Sequence, residues 1–77
     1  MEANYAYIGT DGTKLFPLCW QNADGSVNKF ETCLLIQEAA RTFGAKSAGV
    51  IPSDEIENVL SQIIGAGQSH GLTVLPQ

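Results

Sequence analysis

The stretch SDEIENVLSQII, residues 53–64, decides the fold because it has the pattern of a single amphipathic helix. Its apolar residues recur three and four positions apart, which places them on one helix face, and every position between them is polar. These apolar residues are Ile56, Val59, Leu60, Ile63 and Ile64. We expect Ser53 to cap the helix, since a serine side chain accepts a hydrogen bond from a free backbone N–H group at a helix start. Gly65–Gly67 is expected to end it.

A second helix is predicted upstream, where apolar residues follow the same spacing. They are Ile36, Ala39, Ala40 and Phe43. Gly44 is expected to end this helix, because glycine readily adopts the left-handed conformation that is common just after a helix. Its start is open: Asn28 with Glu31 resembles a capping box, and Thr32 is a later alternative. Residues 26–33 also fit an extension of a strand.

Residues 3–21 predict a β-hairpin. Aromatic and branched residues, which suit a half-buried sheet, lie on both sides of a central turn. They are Tyr5, Tyr7, Leu15, Phe16, Leu18 and Trp20. The turn contains Asp11-Gly12, a strong hairpin signal because both residue types tolerate a positive φ. Pro17 has no backbone N–H group, so the second strand is expected to lie at a sheet edge or to break there. A second turn is predicted at Asn22–Gly25.

The last predicted element is a short strand at Leu72–Leu75, closed by Pro76. The order of strand, strand, helix, helix and strand is typical of an α+β fold. We therefore predict a small antiparallel sheet, made of the N-terminal hairpin and the short C-terminal strand, with two helices packed on one face. A chain of 77 residues is long enough for one domain and too short for two, so residues 1–77 are expected to form a single domain.

Composition and charge argue against two classes of partner. The chain carries eight carboxylates against four scattered cations, a net charge of −4, so it has no basic stripe with which to bind nucleic acid. The cations are Lys14, Lys29, Arg41 and Lys46. No stretch approaches the roughly 20 apolar residues that span a bilayer, so no membrane partner is expected either.

The start of the chain and its cysteines predict a cytoplasmic protein. Met1–Asn4 shows no basic segment followed by an apolar one, so no secretory leader is expected. Cys19 and Cys33 could pair in an oxidising compartment, but the lack of a leader favours free thiols. The charged fraction is only 16%, which suggests that a partner protein or a second copy of the chain, in a homodimer or larger homo-oligomer, covers part of the surface.

Four aromatic residues of the hairpin are the candidate protein-binding residues. They are Tyr5, Tyr7, Phe16 and Trp20. A two-stranded sheet that helices cover on one side cannot bury all of them, and exposed aromatics at a sheet edge are typical anchors of protein interfaces. The alternative is that these residues complete a small core.

The segment from Trp20 to Glu31 resembles part of an EF-hand calcium loop. If Gly25 is the glycine of that loop, oxygen-bearing side chains fall on several ligand positions. They are Asn22, Asp24, Asn28 and Glu31. Trp20 stands at the first ligand position and offers no oxygen. Binding of calcium or a small ligand by the Asn22–Glu31 turn is therefore an alternative function.

A small thiol enzyme is a further alternative. Cys19 or Cys33 would need His70, the only histidine, within hydrogen-bond reach as a base. Buried cysteine is a common core residue, so we expect no enzymatic activity, no catalytic residue, no metal and no cofactor. The sequence instead predicts a small acidic protein-binding module, an inhibitor or adaptor of a larger complex, whose hairpin edge occupies the surface of its partner. A phage or other mobile-element origin is compatible with this prediction.

Overall fold

The computed structural model describes residues 1–74 of the chain. Two strands are followed by two helices. They are β1 (Glu2–Ile8), β2 (Lys14–Trp20), α1 (Lys29–Ser47) and α2 (Ile56–Ser69). The strands pair antiparallel in one two-stranded sheet. The predicted α+β fold class is confirmed.

The hairpin turn forms where the Asp-Gly pair predicts it. Gly12 adopts a φ of 91°, and the Gly9 N–H donates to the Thr13 carbonyl at 2.7 Å. The Asp11 carboxylate accepts a hydrogen bond from the Thr13 backbone N–H at 3.0 Å, and this contact lowers the pKa of Asp11. The turn thereby returns β2 along β1 in a fixed register.

β2 continues through its proline and is an edge strand, as predicted. Pro17 lies opposite Tyr5, and the sheet described within residues 1–74 has two strands, so each strand has one open side. Phe16, directly before Pro17, has a positive φ of 60°. A bulky residue in this region is strained by roughly 1–3 kcal/mol. The burial of its ring in the core holds the backbone there.

α1 begins at the earlier of the two predicted positions. Asn28 is the N-cap, and its side-chain oxygen accepts a hydrogen bond from the Glu31 N–H at 3.0 Å. Thr32 lies inside the first turn and is fully buried; its hydroxyl oxygen accepts a hydrogen bond from the Trp20 N–H at 2.9 Å. The strand alternative for residues 26–33 is wrong from residue 29 onwards, where the helix begins; before it, Val27 forms a single antiparallel bridge with Gln21.

The sequence predicts that α1 ends at Gly44, but the helix continues to Ser47. Glycine inside a helix costs about 1 kcal/mol relative to alanine, which a packed helix tolerates. The Ser47 hydroxyl is buried and donates to the Phe43 carbonyl at 2.6 Å. The chain turns at Gly49, with a φ of 73°, and the buried side chain of Ile51 anchors the turn. Tertiary packing therefore sets the end of this helix.

α2 begins at Ile56, later than the sequence predicts. Residues 53–55 form a turn in which the Glu55 N–H donates to the Pro52 carbonyl at 2.9 Å. Glu55 is the N-cap, and no side chain caps the helix. The prediction of Ser53 as the cap is wrong, because Ser53 belongs to this separate turn, which precedes the helix.

α2 also runs through the glycines that were expected to end it, and ends at Ser69. Gly67 is buried, and a β-carbon there would lie 3.0 Å from Cγ2 of Val74. Glycine is present because the following segment packs closely on the helix, so it does not mark the helix end.

The segment after α2 packs on the core without joining the sheet. Residues 72–74 have no strand pairing, and Val74 is a half-buried neighbour of the core. The short C-terminal strand predicted at residues 72–75 is therefore not formed over its described part. Leu75 and Pro76 lie outside the described residues.

The hairpin and both helices share one core. Its buried members are Ala6, Tyr7, Phe16, Ala39, Ala40, Phe43, Ile51, Val59 and Ile63. α1 packs along β2, and α2 packs against α1 and reaches both strands. A two-stranded hairpin is marginally stable in water, so the helices stabilise it. Neither of the two helices within residues 1–74 has both the length and the apolar character that a membrane crossing requires.

Asn28→Ala is expected to lower the free energy of unfolding by about 1 kcal/mol, because the Glu31 N–H loses its capping partner. Ser53→Ala is the matched control and should have almost no effect, since Ser53 caps nothing. Urea unfolding followed by circular dichroism measures both losses. A loss at Ser53 as large as that at Asn28 would contradict the observed helix starts.

Candidate functional site

The structure divides the four candidate aromatics of the hairpin into two pairs. Tyr7 and Phe16 belong to the core, with 9% and 3% of their surface exposed. Tyr5 and Trp20 stay half-exposed. Tyr5 and Tyr7 differ in burial although they are two positions apart in β1 and pair with β2 in the same register, so alternation along the strand does not by itself decide which aromatic is covered. Tyr5 and Trp20 are what remains of the predicted interface.

Tyr5 stands at a groove between the hairpin and α1, which we call the hairpin–α1 groove. It is open to solvent and has a volume of about 400 Å³. Its apolar lining comes from β2 and α1. These residues are Leu15, Phe16, Pro17, Leu35 and Ala39. Its polar lining residues are Glu2, Tyr5, Lys14, Glu38, Thr42 and Lys46. The groove therefore combines an apolar floor with a polar rim of similar size.

The path of α1 places two lysines at the same end of this groove. The start of α1 is hydrogen-bonded to the end of β2, so α1 runs back antiparallel to β2. Phe43, near the end of α1, accordingly packs on Phe16, near the start of β2, with ring centroids 5.6 Å apart. Lys14 and Lys46 lie just beyond these two rings in sequence, and both line the groove.

The carboxylates of the groove already have partners. Glu38 forms an ion pair with Arg41, whose hydrogen bond and positive charge lower the pKa of Glu38. The Tyr5 hydroxyl donates to the Glu2 carboxylate at 3.4 Å. The Lys14 ammonium nitrogen lies 5.7 Å from the centroid of the Tyr5 ring, within range of a cation–π interaction.

Sequence reasoning missed a second surface, the α1 patch formed by Phe30 and Leu34. Phe30 is 71% exposed and Leu34 is 45% exposed. The two residues are four positions apart, so they lie next to each other on α1. The sequence carries the signal, because this pair stands outside the stripe that runs from Ile36 to Phe43. Val27, just before the helix, is also exposed.

In the Asn22–Glu31 turn, the side-chain oxygens of Asn22, Asp24 and Asn28 accept hydrogen bonds from groups of the same segment. Asp24 accepts hydrogen bonds from the Ser26 hydroxyl at 2.6 Å and from the Ser26 N–H at 3.0 Å, and these lower the pKa of Asp24. The side-chain oxygen Oδ1 of Asn22 accepts a hydrogen bond from the side-chain amide of Asn28 at 3.1 Å. Residues 1–74 hold no group of three or more His, Cys, Asp or Glu side chains arranged for a metal ion. This geometry is that of a turn leading into a capped helix.

The two cysteine thiols and His70 do not form a hydrogen-bonded group within residues 1–74. Cys19 is buried, Cys33 is half-buried, and both are free. The Nδ1 atom of His70 lies 3.0 Å from the Ala66 carbonyl oxygen, a contact with its own helix. In the described part of the chain, no hydrogen bond connects either thiol with His70.

Fold and surface together define a small α+β domain with an open groove between its hairpin and its first helix. Neither a protein-family model, nor a curated protein sequence, nor a solved structure matches the chain. Its function is therefore inferred from these surfaces.

Proposed function

We propose that this chain is a small non-enzymatic protein-binding module that acts as an inhibitor or adaptor on a larger protein. The observation that supports this most is the hairpin–α1 groove, whose apolar lining is open to solvent. A segment of the partner would lie in the groove and cover Tyr5 and the apolar lining. The effect on the partner is steric, because the bound module blocks the surface that surrounds this segment.

Size and chemistry both suit this role. The groove falls within the roughly 300–1,000 Å³ of typical ligand sites. Covering its apolar lining gains about 25 cal/mol for each Å² removed from water. Tyr5 adds a ring that packs and a hydroxyl that hydrogen-bonds, the combination that makes tyrosine frequent at interfaces. A cytoplasmic location is supported by the two free thiols, since a reducing compartment maintains them.

A displayed library of short random peptides tests the groove without knowledge of the natural partner. Peptides selected on the wild-type protein are expected to bind Thr42→Trp at least about tenfold more weakly, a loss of about 1.4 kcal/mol. Thr42 lines the groove on α1, so a tryptophan there fills the space that the peptide needs.

Ser61→Trp is the control, because Ser61 is exposed on α2 and does not line the groove. This variant should bind the selected peptides as the wild type does, and circular dichroism should show both variants folded. Equal binding by Thr42→Trp and Ser61→Trp, or a failure to enrich any peptide on the wild type, would overturn the proposed function.

Self-association is a second candidate, favoured by the α1 patch. Exposed aromatic and aliphatic side chains at neighbouring helix positions are a common basis of helix pairing between two copies of a chain. If the patch mediates a dimer, light scattering should give twice the mass of one chain, and Phe30→Ser should return the mass to that of a monomer. Ile8→Ser, at an exposed residue of β1, is the control. A monomeric wild type at high concentration would contradict this candidate.

A further inference from the structure

The outer edge of β1 carries backbone groups that point away from β2. At one end of the hairpin the Gln21 N–H donates to the Met1 carbonyl at 2.9 Å, and at the other end the Gly9 N–H donates to the Thr13 carbonyl at 2.7 Å. Successive residues of an antiparallel strand direct their backbone groups to opposite sides, so the odd-numbered residues face β2 and the even-numbered ones face outward. The outward residues of β1 are Glu2, Asn4, Ala6 and Ile8.

The outer edge of β2, in contrast, has partners where it meets α1. The Trp20 N–H donates to the Thr32 hydroxyl at 2.9 Å, and the Trp20 carbonyl accepts from the Asn28 N–H at 2.8 Å. On β1, no segment described within residues 1–74 forms a hydrogen bond with the outward backbone groups. Three of the four outward residues are exposed, and they are Glu2, Asn4 and Ile8. The edge of β1 is therefore the one that can accept another strand.

A trough beside this edge, which we call the β1 trough, provides room for that strand. It is open to solvent and has a volume of about 580 Å³. Its apolar lining residues are Ala3, Tyr5, Ile8 and Leu18, and its polar ones are Glu2, Asn4, Lys14 and Gln62. Ile8 is 63% exposed and is the most exposed apolar residue of this lining. One carboxylate and one ammonium group leave the lining without net charge, so it selects no charge in an occupant.

We propose that β1 pairs with an additional strand, supplied by an extended and largely apolar segment of a partner protein. Main-chain hydrogen bonds to the outward groups would hold such a segment, and its alternate side chains would contact the β1 trough. The sheet would grow from two strands, which are marginally stable alone, to three. Glu2, Tyr5 and Lys14 line both the trough and the hairpin–α1 groove, so this contact adjoins the proposed site and adds to it.

The backbone of β1 favours a flexible segment over the β1 strand of a second copy. Asn4 has a positive φ of 54°, which interrupts the extended backbone in the middle of the edge. Edge-to-edge pairing between copies is easiest along flat, regular strands, and interruptions of an edge disfavour it. A flexible segment adapts to the interruption, whereas a second β1 has the same interruption at a fixed position.

The test selects displayed peptides on Thr42→Trp, in which the groove is filled while the lining of the β1 trough is unchanged. Peptides enriched on this variant should bind the wild type equally well. They should bind Ile8→Pro at least about tenfold more weakly, because proline keeps an apolar side chain but removes the outward N–H group. Ile8→Val keeps that N–H group, so it is the matched control and should bind as the wild type does.

N-methylation along a selected peptide gives a result that side-chain contacts alone would not. Methyl groups on alternate residues, where the N–H faces β1, should abolish binding, and those on the residues between should leave it unchanged. In the complex, hydrogen exchange at the N–H groups of Glu2, Asn4 and Ile8 should become slower.

The outcomes separate this inference from the proposed function. No enrichment on Thr42→Trp, or equal binding to Ile8→Pro and Ile8→Val, would overturn the strand pairing and leave the groove intact. Loss of the groove site is measured independently, as equal binding of wild-type peptides to Thr42→Trp and Ser61→Trp.

A second copy of the chain at the edge would give a different result. The same N–H groups would then exchange more slowly in the free protein as its concentration rises, which would overturn the assignment to a partner segment. If circular dichroism shows Ile8→Pro unfolded, Glu2→Pro with Glu2→Gln as its control makes the same comparison at the other end of β1.

Discussion

Ile63→Ala is expected to lower the free energy of unfolding by about 2–5 kcal/mol. Ile63 lies in α2, has no exposed surface, and belongs to the core that the helices share with the hairpin. Truncation removes its apolar contacts and leaves a cavity that the surrounding side chains fill only in part. The core of a domain of this size contributes roughly 3–5 kcal/mol to the free energy of unfolding, so this one substitution removes most of the stability. Guanidinium unfolding followed by circular dichroism measures the loss.

Ile64→Ala is the matched control, because it makes the same chemical change at the next position of α2. Ile64 is half-exposed and lies outside the buried core cluster, so its truncation should cost clearly less. The two isoleucines are equivalent in the sequence pattern, and only packing distinguishes them. Equal losses at the two positions would contradict the orientation of α2 on the core.

Phe16→Ala is expected to cost about 3–5 kcal/mol, because Phe16 is buried against Phe43 in the centre of the core. Phe16→Gly should cost about 1 kcal/mol less than Phe16→Ala. The backbone at this position has a φ of 60°, which glycine adopts without the strain that a β-carbon causes. Glycine is normally the more damaging residue in a strand, so the predicted order is reversed. Denaturant unfolding of the two variants under one condition gives the difference.

The same pair of substitutions at Leu18 provides the control. Leu18 lies in β2, is half-buried, and does not have a positive φ. There Leu18→Gly should be less stable than Leu18→Ala by about 0.5–1 kcal/mol, the usual penalty of glycine in a strand. If glycine is also the less stable residue at position 16, the left-handed conformation of Phe16 is incorrect.

The parts of the fold that could be predicted depend on interactions a few residues apart. Asp11 and Gly12 form their turn through neighbouring backbone groups, and Asn28 caps α1 through a hydrogen bond to Glu31. The spacing of apolar residues likewise identified both helices, because each helix needs one apolar face for the core. The α+β class follows from these local elements and their order.

The helix ends could not be predicted, since glycine permits a helix to end without requiring it. Gly44 lies inside α1, because the residues after it, up to the buried Ser47, still pack on the molecule. Gly67 lies inside α2, and Val74 leaves no room there for a larger residue, so this glycine serves packing and does not end the helix. At Ser53 a turn closed by Pro52 precedes the helix, although the local pattern is that of a cap. At the two glycines the boundary depends on packing with other parts of the chain, whereas at Ser53 a local hydrogen bond within the turn precedes the helix.

By itself the sequence determined that the hairpin carries aromatic residues beyond what a two-stranded sheet needs, and that the chain has few cations. Only the tertiary structure decided that Tyr7 and Phe16 enter the core while Tyr5 stays at the groove. It also decided that Lys14 and Lys46, far apart in the chain, share one end of that groove. The physical reason is that residue type determines whether a side chain is apolar or charged. Whether it becomes buried depends on which other segment of the chain covers it. Here that segment is α1, which lies along β2 and forms both the core contact and the groove wall.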